Sequence, residues 1–263
     1  MSYANINGIR IYYEETGAGF PLLILLPLGC VISHLKDWIH SFSDKFRVII
    51  ADLRGGGQSQ ATPGPYTIKL LAEDAAALLD CMHINKAHVI GTSLGGHIAQ
   101  ELAILRPELI DRLVLVLSAA RSDQRTRERL KLWRELKAGG HDELFAREVC
   151  LWVNNNRFYE NKKEYHDWIN AFVKSIDYSR EGYVALVDAA ISFDALERVK
   201  YIKSRTICFC GKDDICFNRA QVQEMADAIP GARFEILDCA HVLTGDSYNN
   251  FVKSTREFLT SPE

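Results

Sequence analysis

No stretch of the chain approaches the roughly 18 uninterrupted apolar residues that a membrane-spanning helix needs, so no such helix is expected. The opening residues Met1, Ser2, Tyr3, Ala4 and Asn5 lack the basic and apolar regions of a secretory leader. There is no basic excess either. Lysine and arginine number 31 against 34 acids, a formal net charge of -3, which leaves no electrostatic footprint for nucleic acid. Internal repeats and low-complexity segments are absent. So is a C-x-x-C pair. The seven cysteines are an odd number, and several sit inside apolar runs. Cys208 and Cys210 are spaced C-x-C on an expected buried strand, which suits neither a zinc knuckle nor a redox pair. They read as reduced core thiols of a cytoplasmic protein.

What is present is an alternation of strand and helix. The 263 residues suffice for one large domain, or for one domain carrying an insertion. Apolar runs or alternations at 9–14, 21–26, 47–51, 87–91 and 113–117 read as strands. Between them, 36–42, 67–83 and 94–105 read as helices. Such alternation implies right-handed crossovers and a mostly parallel sheet. After Ser118 the pattern breaks. Charged and aromatic helical sequence follows, at 127–137, 143–154, 163–173 and 180–191. Strands resume at 206–210 and 233–237, with helices at 219–228 and 249–259. The simplest organisation is a core built from 1–120 and 196–263, interrupted by a helical cap at 121–195. A substrate pocket is expected beneath that cap, where Trp133, Trp152, Phe158, Tyr159, Trp168 and Tyr183 are available to line it.

Gly91-Thr92-Ser93-Leu94-Gly95 matches G-x-S-x-G, between an expected strand and an expected helix. A sharp strand-to-helix turn of this kind exposes the serine hydroxyl in a strained conformation. It also places the hydroxyl at a helix N-terminus, where unpaired N–H groups favour developing negative charge. The bland alternative is that Ser93 merely caps the helix. A serine hydroxyl is a poor nucleophile without a neighbouring base. Of the eight histidines, His241 alone follows the helical stretch, just beyond the strand 233–237. His97 lies on the helix after Ser93, where it packs or faces solvent. An acid to orient the base belongs in the loop after 206–210. Asp213 and Asp214 compete for that role.

These segments resemble the α/β-hydrolase superfamily over the whole length of the chain. Asp52-Leu53-Arg54-Gly55-Gly56-Gly57-Gln58-Ser59 is similar to its D-x-R-G-x-G-x-S loop, and Gly211 to Asp214 and Ala240-His241 are similar to its acid and base loops. Pro27-Leu28-Gly29, and Gly182 to Ala185 running into Ala189 to Asp194, look closest to 3-oxoadipate enol-lactonases and small carboxylesterases. The resemblance implies an eight-stranded, mostly parallel sheet flanked by helices. It implies a Ser93–His241–Asp214 triad, Asp214 being third after the glycine of a G-x-x-D pattern. The oxyanion donors would be the N–H of Leu94 and that of Leu28, or of Gly29 after a one-residue slip. The His-Gly pair common after the first buried strand is Leu26-Pro27 here, and a proline common after the acid loop is Asn218, which leaves that loop less rigid.

The implied activity is hydrolysis of a small carboxylic ester or lactone through an acyl-enzyme, with no metal or organic cofactor. The implied partner is a small-molecule substrate, with neither nucleic acid nor membrane, and a homodimer is left open. Carbon–carbon bond hydrolases and perhydrolases share the serine chemistry, although the former often carry Asn where this chain has Thr92. A ligand receptor on a hydrolase scaffold is a third reading.

Overall fold

Leu22, Leu23, Ile24, Val89, Ile90, Val114 and Leu115 are all shut off from water, although successive residues of a strand point to opposite faces. Only strands covered on both sides permit this. The computed structural model describes residues 2–175 and 178–262. Its strands are β1 (Ser2–Ile6), β2 (Ile9–Thr16), β3 (Phe20–Leu25), β4 (Phe46–Ala51), β5 (Ala87–Thr92), β6 (Ile110–Val116), β7 (Arg205–Gly211) and β8 (Arg233–Leu237). They form one sheet in the order β1-β2-β4-β3-β5-β6-β7-β8. The pairings β1–β2 and β2–β4 are antiparallel, and the rest are parallel. This is the α/β-hydrolase architecture that the motifs imply. The eighth strand is the short β1, whose inward positions are only Ala4 and Ile6.

The helices are α1 (Lys36–Phe42), α2 (Ile68–Cys81), α3 (Leu94–Leu105), α4 (Gln124–Ala138), α5 (Asp142–Val153), α6 (Asn156–Tyr159), α7 (Lys162–Lys174), α8 (Arg180–Ile191), α9 (Arg219–Ala228) and α10 (Gly245–Thr260). Side chains start several of them. Thr67 accepts from the Leu70 N–H at 3.0 Å, Asp123 from Thr126 at 2.8 Å and Ser179 from Gly182 at 2.9 Å, each taking up an N–H that a first turn leaves unpaired. No helix among the described residues is long and apolar enough to cross a membrane. Cys208 and Cys210 lie unpaired in the core on β7. Burial pushes their thiols up to about 12 and about 11.

Helices α4 to α8 all fall between β6 and β7. The chain enters and leaves this stretch through a narrow neck. Arg121 and Asp194 form an antiparallel bridge, the Ser122 N–H donates to the Phe193 carbonyl at 3.0 Å, and the Ala195 N–H donates to the Ala120 carbonyl at 2.8 Å. The helical segment is therefore pinned at its base to the ends of the strands, which is where the site lies.

The loop after β4 is held by buried charge. Asp52 accepts from the Ile32 N–H at 2.8 Å and the Gln58 N–H at 2.9 Å. Arg54 grips Asp74 of α2 with two hydrogen bonds, 2.8 and 2.7 Å, and both residues are buried. A bidentate pair of this kind holds only while both members are present, because removing one leaves an unpaired charge in the interior. Asp74→Ala should therefore cost about 3–5 kcal/mol in urea denaturation. The double variant Arg54→Met/Asp74→Leu should be less destabilised than Asp74→Ala alone. Equal losses would show that the pair is not the anchor of this loop.

Candidate active site

β5 ends at Thr92 and α3 begins at Leu94, so Ser93 alone makes the turn between them. It does so at φ +52° and ψ −116°, a region that residues with side chains seldom occupy. The turn is held from three directions. The Ser93 N–H donates to the Val116 carbonyl at 2.9 Å, while the Ser93 carbonyl accepts from the Gly96 N–H and the Ser118 hydroxyl, each at 2.9 Å. The two flanking glycines are spatial requirements. A Cβ on Gly95 would come within 2.5 Å of the Leu25 carbonyl carbon, and one on Gly91 within 2.7 Å of the Ala99 Cβ. Without side chains there, α3 can start directly against the end of β3.

His241, just beyond β8, connects this turn to the loop after β7. Its Nε2 lies 3.1 Å from the Ser93 Oγ and its Nδ1 lies 2.8 Å from the Asp214 Oδ2. The network assigns the tautomer: Nδ1–H donates to the carboxylate, and Nε2 accepts from the hydroxyl. The Asp214 carboxylate is closed off from solvent. Its other oxygen accepts from the Cys216 N–H at 2.7 Å and the Phe217 N–H at 3.1 Å. Asp213 faces outward and accepts from the Asn155 side chain at 3.2 Å. The structure thus brings together Ser93, His241 and Asp214, and leaves Asp213 outside. Nor is the acid loop loosened by having Asn218 in place of proline. The Asn218 side chain accepts from the Gln221 N–H at 3.2 Å, and its own N–H donates to the Gln221 side chain at 3.0 Å. Proline, lacking both the N–H and the side-chain oxygen, would forfeit both bonds of this capping box.

A cavity of about 740 Å³ opens onto Ser93 and His241, between the strand ends and helices α4, α5 and α7. Its walls are mostly apolar, with Leu130, Val149, Val153 and Phe172 among them. Of the aromatic residues singled out in the sequence, Trp133 and Trp168 line it. Phe158 and Tyr159 instead pack with Ile169 in a separate small cluster, and Tyr183 lies buried behind Gly29. Trp152 stands beside Arg129, its ring 5.1 Å from the guanidinium carbon. Leu28, Gly29 and Leu94 also line the cavity, and no backbone N–H of theirs is taken by a hydrogen bond among the described residues.

Among the lining residues that sequence reasoning did not assign to the cavity are Arg129 and His97. His97 is buried against Phe193, with ring centroids 4.3 Å apart in a stacked arrangement. Burial, with the nearby Arg129 charge adding to it, pushes the imidazole down to about 3, so the ring is neutral at physiological pH. Its position four residues after Ser93, one helical turn on, carried a signal: it shares the face of α3 that bears Ser93. Arg129 gave none, because an arginine among charged neighbours reads as a solvated helix face.

Asp214, Cys216 and His241 have donor atoms within 4.8 Å of one another, a spacing a metal ion would fit. Their side-chain atoms already take part in other hydrogen bonds. The carboxylate serves His241 and two amides, as described. Burial pushes the Cys216 thiol up to about 12, and its Sγ hydrogen-bonds the Trp152 carbonyl at 3.3 Å. The trio is a closed hydrogen-bonded set and offers no open metal site.

The positive φ at Ser93 has a stability consequence. A side chain in such a region costs on the order of 1–3 kcal/mol, whereas glycine adopts it freely but loses about 0.4–1 kcal/mol through its floppier unfolded chain. Ser93→Gly should therefore be more stable than Ser93→Ala by about 0.5–2 kcal/mol in thermal or chemical denaturation. A glycine variant less stable than the alanine variant would mean that the turn is not strained.

The sequence profile described as the alpha/beta hydrolase fold matches residues 21–247. The chain is 27% identical over 256 residues to the protein named as carbamate hydrolase RutD in Azorhizobium caulinodans, covering 96% of this chain and 97% of that one. It is 29% identical over 238 residues to 3-oxoadipate enol-lactonase 2 of Acinetobacter baylyi, covering 89% and 87%. Among solved structures, the enol-lactonase from Burkholderia xenovorans superposes with a TM-score of 0.89 at 28% identity, over 99% of this chain and 100% of that one. A profile that starts within β3 and runs past His241, on a sheet of this order with a serine at this turn, means that the chain belongs to the α/β-hydrolase family.

Proposed function

We propose that this chain hydrolyses a small carboxylic ester or lactone through an acyl-enzyme formed on Ser93. The observation that carries the reading is the His241 ring, held between the Ser93 hydroxyl at 3.1 Å and the Asp214 carboxylate at 2.8 Å. In this reading Ser93 Oγ attacks the substrate carbonyl carbon as its proton passes to His241 Nε2. The carbonyl oxygen becomes an oxyanion, facing the unspent N–H of Leu94 and that of Leu28 or Gly29. The imidazolium, stabilised by Asp214, returns its proton to the leaving alkoxide as the tetrahedral intermediate collapses. Water then attacks the acyl-enzyme. His241 takes the proton of that water and passes it to Ser93 Oγ, releasing the carboxylic acid. Every step uses side chains and backbone amides of this chain, so the reading calls for no cofactor.

The helical segment between β6 and β7 serves as the cap, adding Leu130, Val149, Val153 and Phe172 to the apolar wall against which an acyl or alcohol group packs. Relatives named as enol-lactonases support a lactone among the substrates, since ring opening is the same chemistry with the leaving group still tethered.

A turnover screen over short alkyl esters, aryl esters and unsaturated lactones tests the reading, together with labelling by a fluorophosphonate. Ser93→Ala should lower turnover by about 10⁶ and abolish the label. Asp214→Ala should cost on the order of 10⁴, whereas Asp213→Ala should change rates only a few-fold. An inactive Asp213→Ala beside an active Asp214→Ala would overturn the assignment of the acid. Absence of both label and turnover in the wild type would overturn the hydrolysis itself.

A further inference from the structure

Four of the buried side-chain nitrogens that lack a hydrogen-bond partner among the described residues belong to three residues of one cavity: Nδ1 and Nε2 of His97, Nε of Arg129 and Nε1 of Trp133. Arg129 is the unusual one. It is 95% buried in α4, being 5% exposed, and forms no ion pair with any described residue. Its Nη1 donates to the Cys216 carbonyl at 2.9 Å, and its Nε and Nη2 make no hydrogen bond with any described residue. Three rings surround the guanidinium, Trp152 at 5.1 Å, Trp133 at 5.2 Å and Phe217 at 5.5 Å. Cation–π contacts offset part of the cost of burying a charge. They do not supply the acceptor that a buried guanidinium otherwise finds.

The free edge has a definite chemistry. Nε–H and Nη2–H lie side by side on a guanidinium and together match the two oxygens of a carboxylate. One positive charge with no ion-pair partner among the described residues, in a mostly apolar cavity, matches one negative charge on the ligand. The place is also right. The Phe217 ring, 5.5 Å from the Arg129 carbon, lies 5.8 Å from the His241 ring, so the cation stands one aromatic ring away from the reacting groups. Of the other lining residues only Asp37 is acidic. It is an exposed residue of α1, and no ion pair joins it to Arg129.

We infer that Arg129 binds a carboxylate carried by the substrate, so that the chain prefers monoanionic esters or lactones to neutral ones. The inference rests on the reading of the chain as a Ser93-dependent ester hydrolase. The neutral His97 and Trp133 line the same cavity, and their ring nitrogens lie buried in its wall without a hydrogen-bond partner among the described residues.

The carboxylate can sit on the acyl or on the alcohol side of the ester, and two isosteric pairs separate these cases. Monomethyl glutarate against methyl pentanoate places it on the acyl side. 4-Acetoxybutanoate against butyl acetate places it on the alcohol side. Followed by pH-stat, at least one anionic ester should exceed its neutral partner in kcat/KM by about tenfold or more, with the difference mainly in KM. Arg129→Met should bring that ratio to about one, a loss on the order of 10–10² in the anionic arm. Arg129→Lys, which keeps the charge but not the fork, should hold an intermediate ratio. Titration of glutarate into the Ser93→Ala protein should show binding that Arg129→Met removes, a readout independent of turnover. If Ser93-dependent hydrolysis is present but neither anionic ester is preferred, or the preference survives Arg129→Met, this inference falls and the hydrolysis stands. If no ester is turned over, the glutarate titration still decides it, and absence of Arg129-dependent binding overturns it.

Discussion

The turn at Ser93 is the constraint on which the rest depends. A residue with a side chain is held at φ +52° because the strand behind it and the helix ahead of it both require that geometry. α3 can approach the sheet this closely only because Gly91 and Gly95 carry no Cβ, and the contact falls on Leu25 at the end of β3. β3 and β6 flank β5 on its two sides, so the turn is fixed from both. Once it is fixed, the carboxyl ends of β5, β7 and β8 deliver Ser93, Asp214 and His241 to one rim. No single one of those three loops contains the geometry; the parallel sheet does, because its strands all end on the same side.

Several buried polar side chains that tie the scaffold together are partnered: Asp52 with two amides, Arg54 with Asp74, and Glu101 with both terminal nitrogens of Arg198 at 2.9 and 2.8 Å. Those in the cavity wall, His97, Arg129 and Trp133, keep nitrogens without a partner among the described residues. Partnered polar groups stabilise a fold or leave it neutral, whereas unpartnered ones cost stability until something binds. Four such nitrogens gather in the wall of one cavity, whereas the atoms of His88, Gln100, Arg127, Ser204, Gln221 and Thr255 that also lack a hydrogen-bond partner among the described residues lie singly elsewhere.

Much of this was legible in the chain itself, for reasons that differ by element. Helices α1, α3, α8 and α9 fall where the sequence pattern places them, although α3 is buried on every face from Leu94 to Ala103 and not along one stripe. The strand β1 escaped notice since it has only Ala4 and Ile6 to bury and depends on β2 for everything else. Ser93 and His241 stand out because a local motif and a position in chain order identify them. Asp213 and Asp214 are indistinguishable by composition. What separates them is the path of the turn, which aims one carboxylate at His241 and the Cys216 and Phe217 amides, and the other at Asn155. Arg129 was hidden for a related reason. Trp133, one turn on in α4, is its only neighbouring ring within the helix; Trp152 and Phe217 come from α5 and from the acid loop, remote in sequence.

That remoteness has a mechanical side. Cys216 donates its N–H to Asp214 and accepts from Arg129 through its carbonyl, so one residue of the acid loop touches both the acid and the cation of the cavity wall. Its Sγ also meets the Trp152 carbonyl of α5, and the His241 N–H donates to the Val153 carbonyl at the end of the same helix. The helical segment is thus not laid over a finished site. It takes part in the hydrogen bonds that hold both loops, from the Arg129 side chain and the Trp152 carbonyl to the acid loop and from the Val153 carbonyl to His241. A displacement of α4 or α5 would therefore be felt at Asp214 and His241 as well as at the cavity wall. In the proposed reaction, the helices that select the substrate are the ones that hold the acid and the base in register with Ser93.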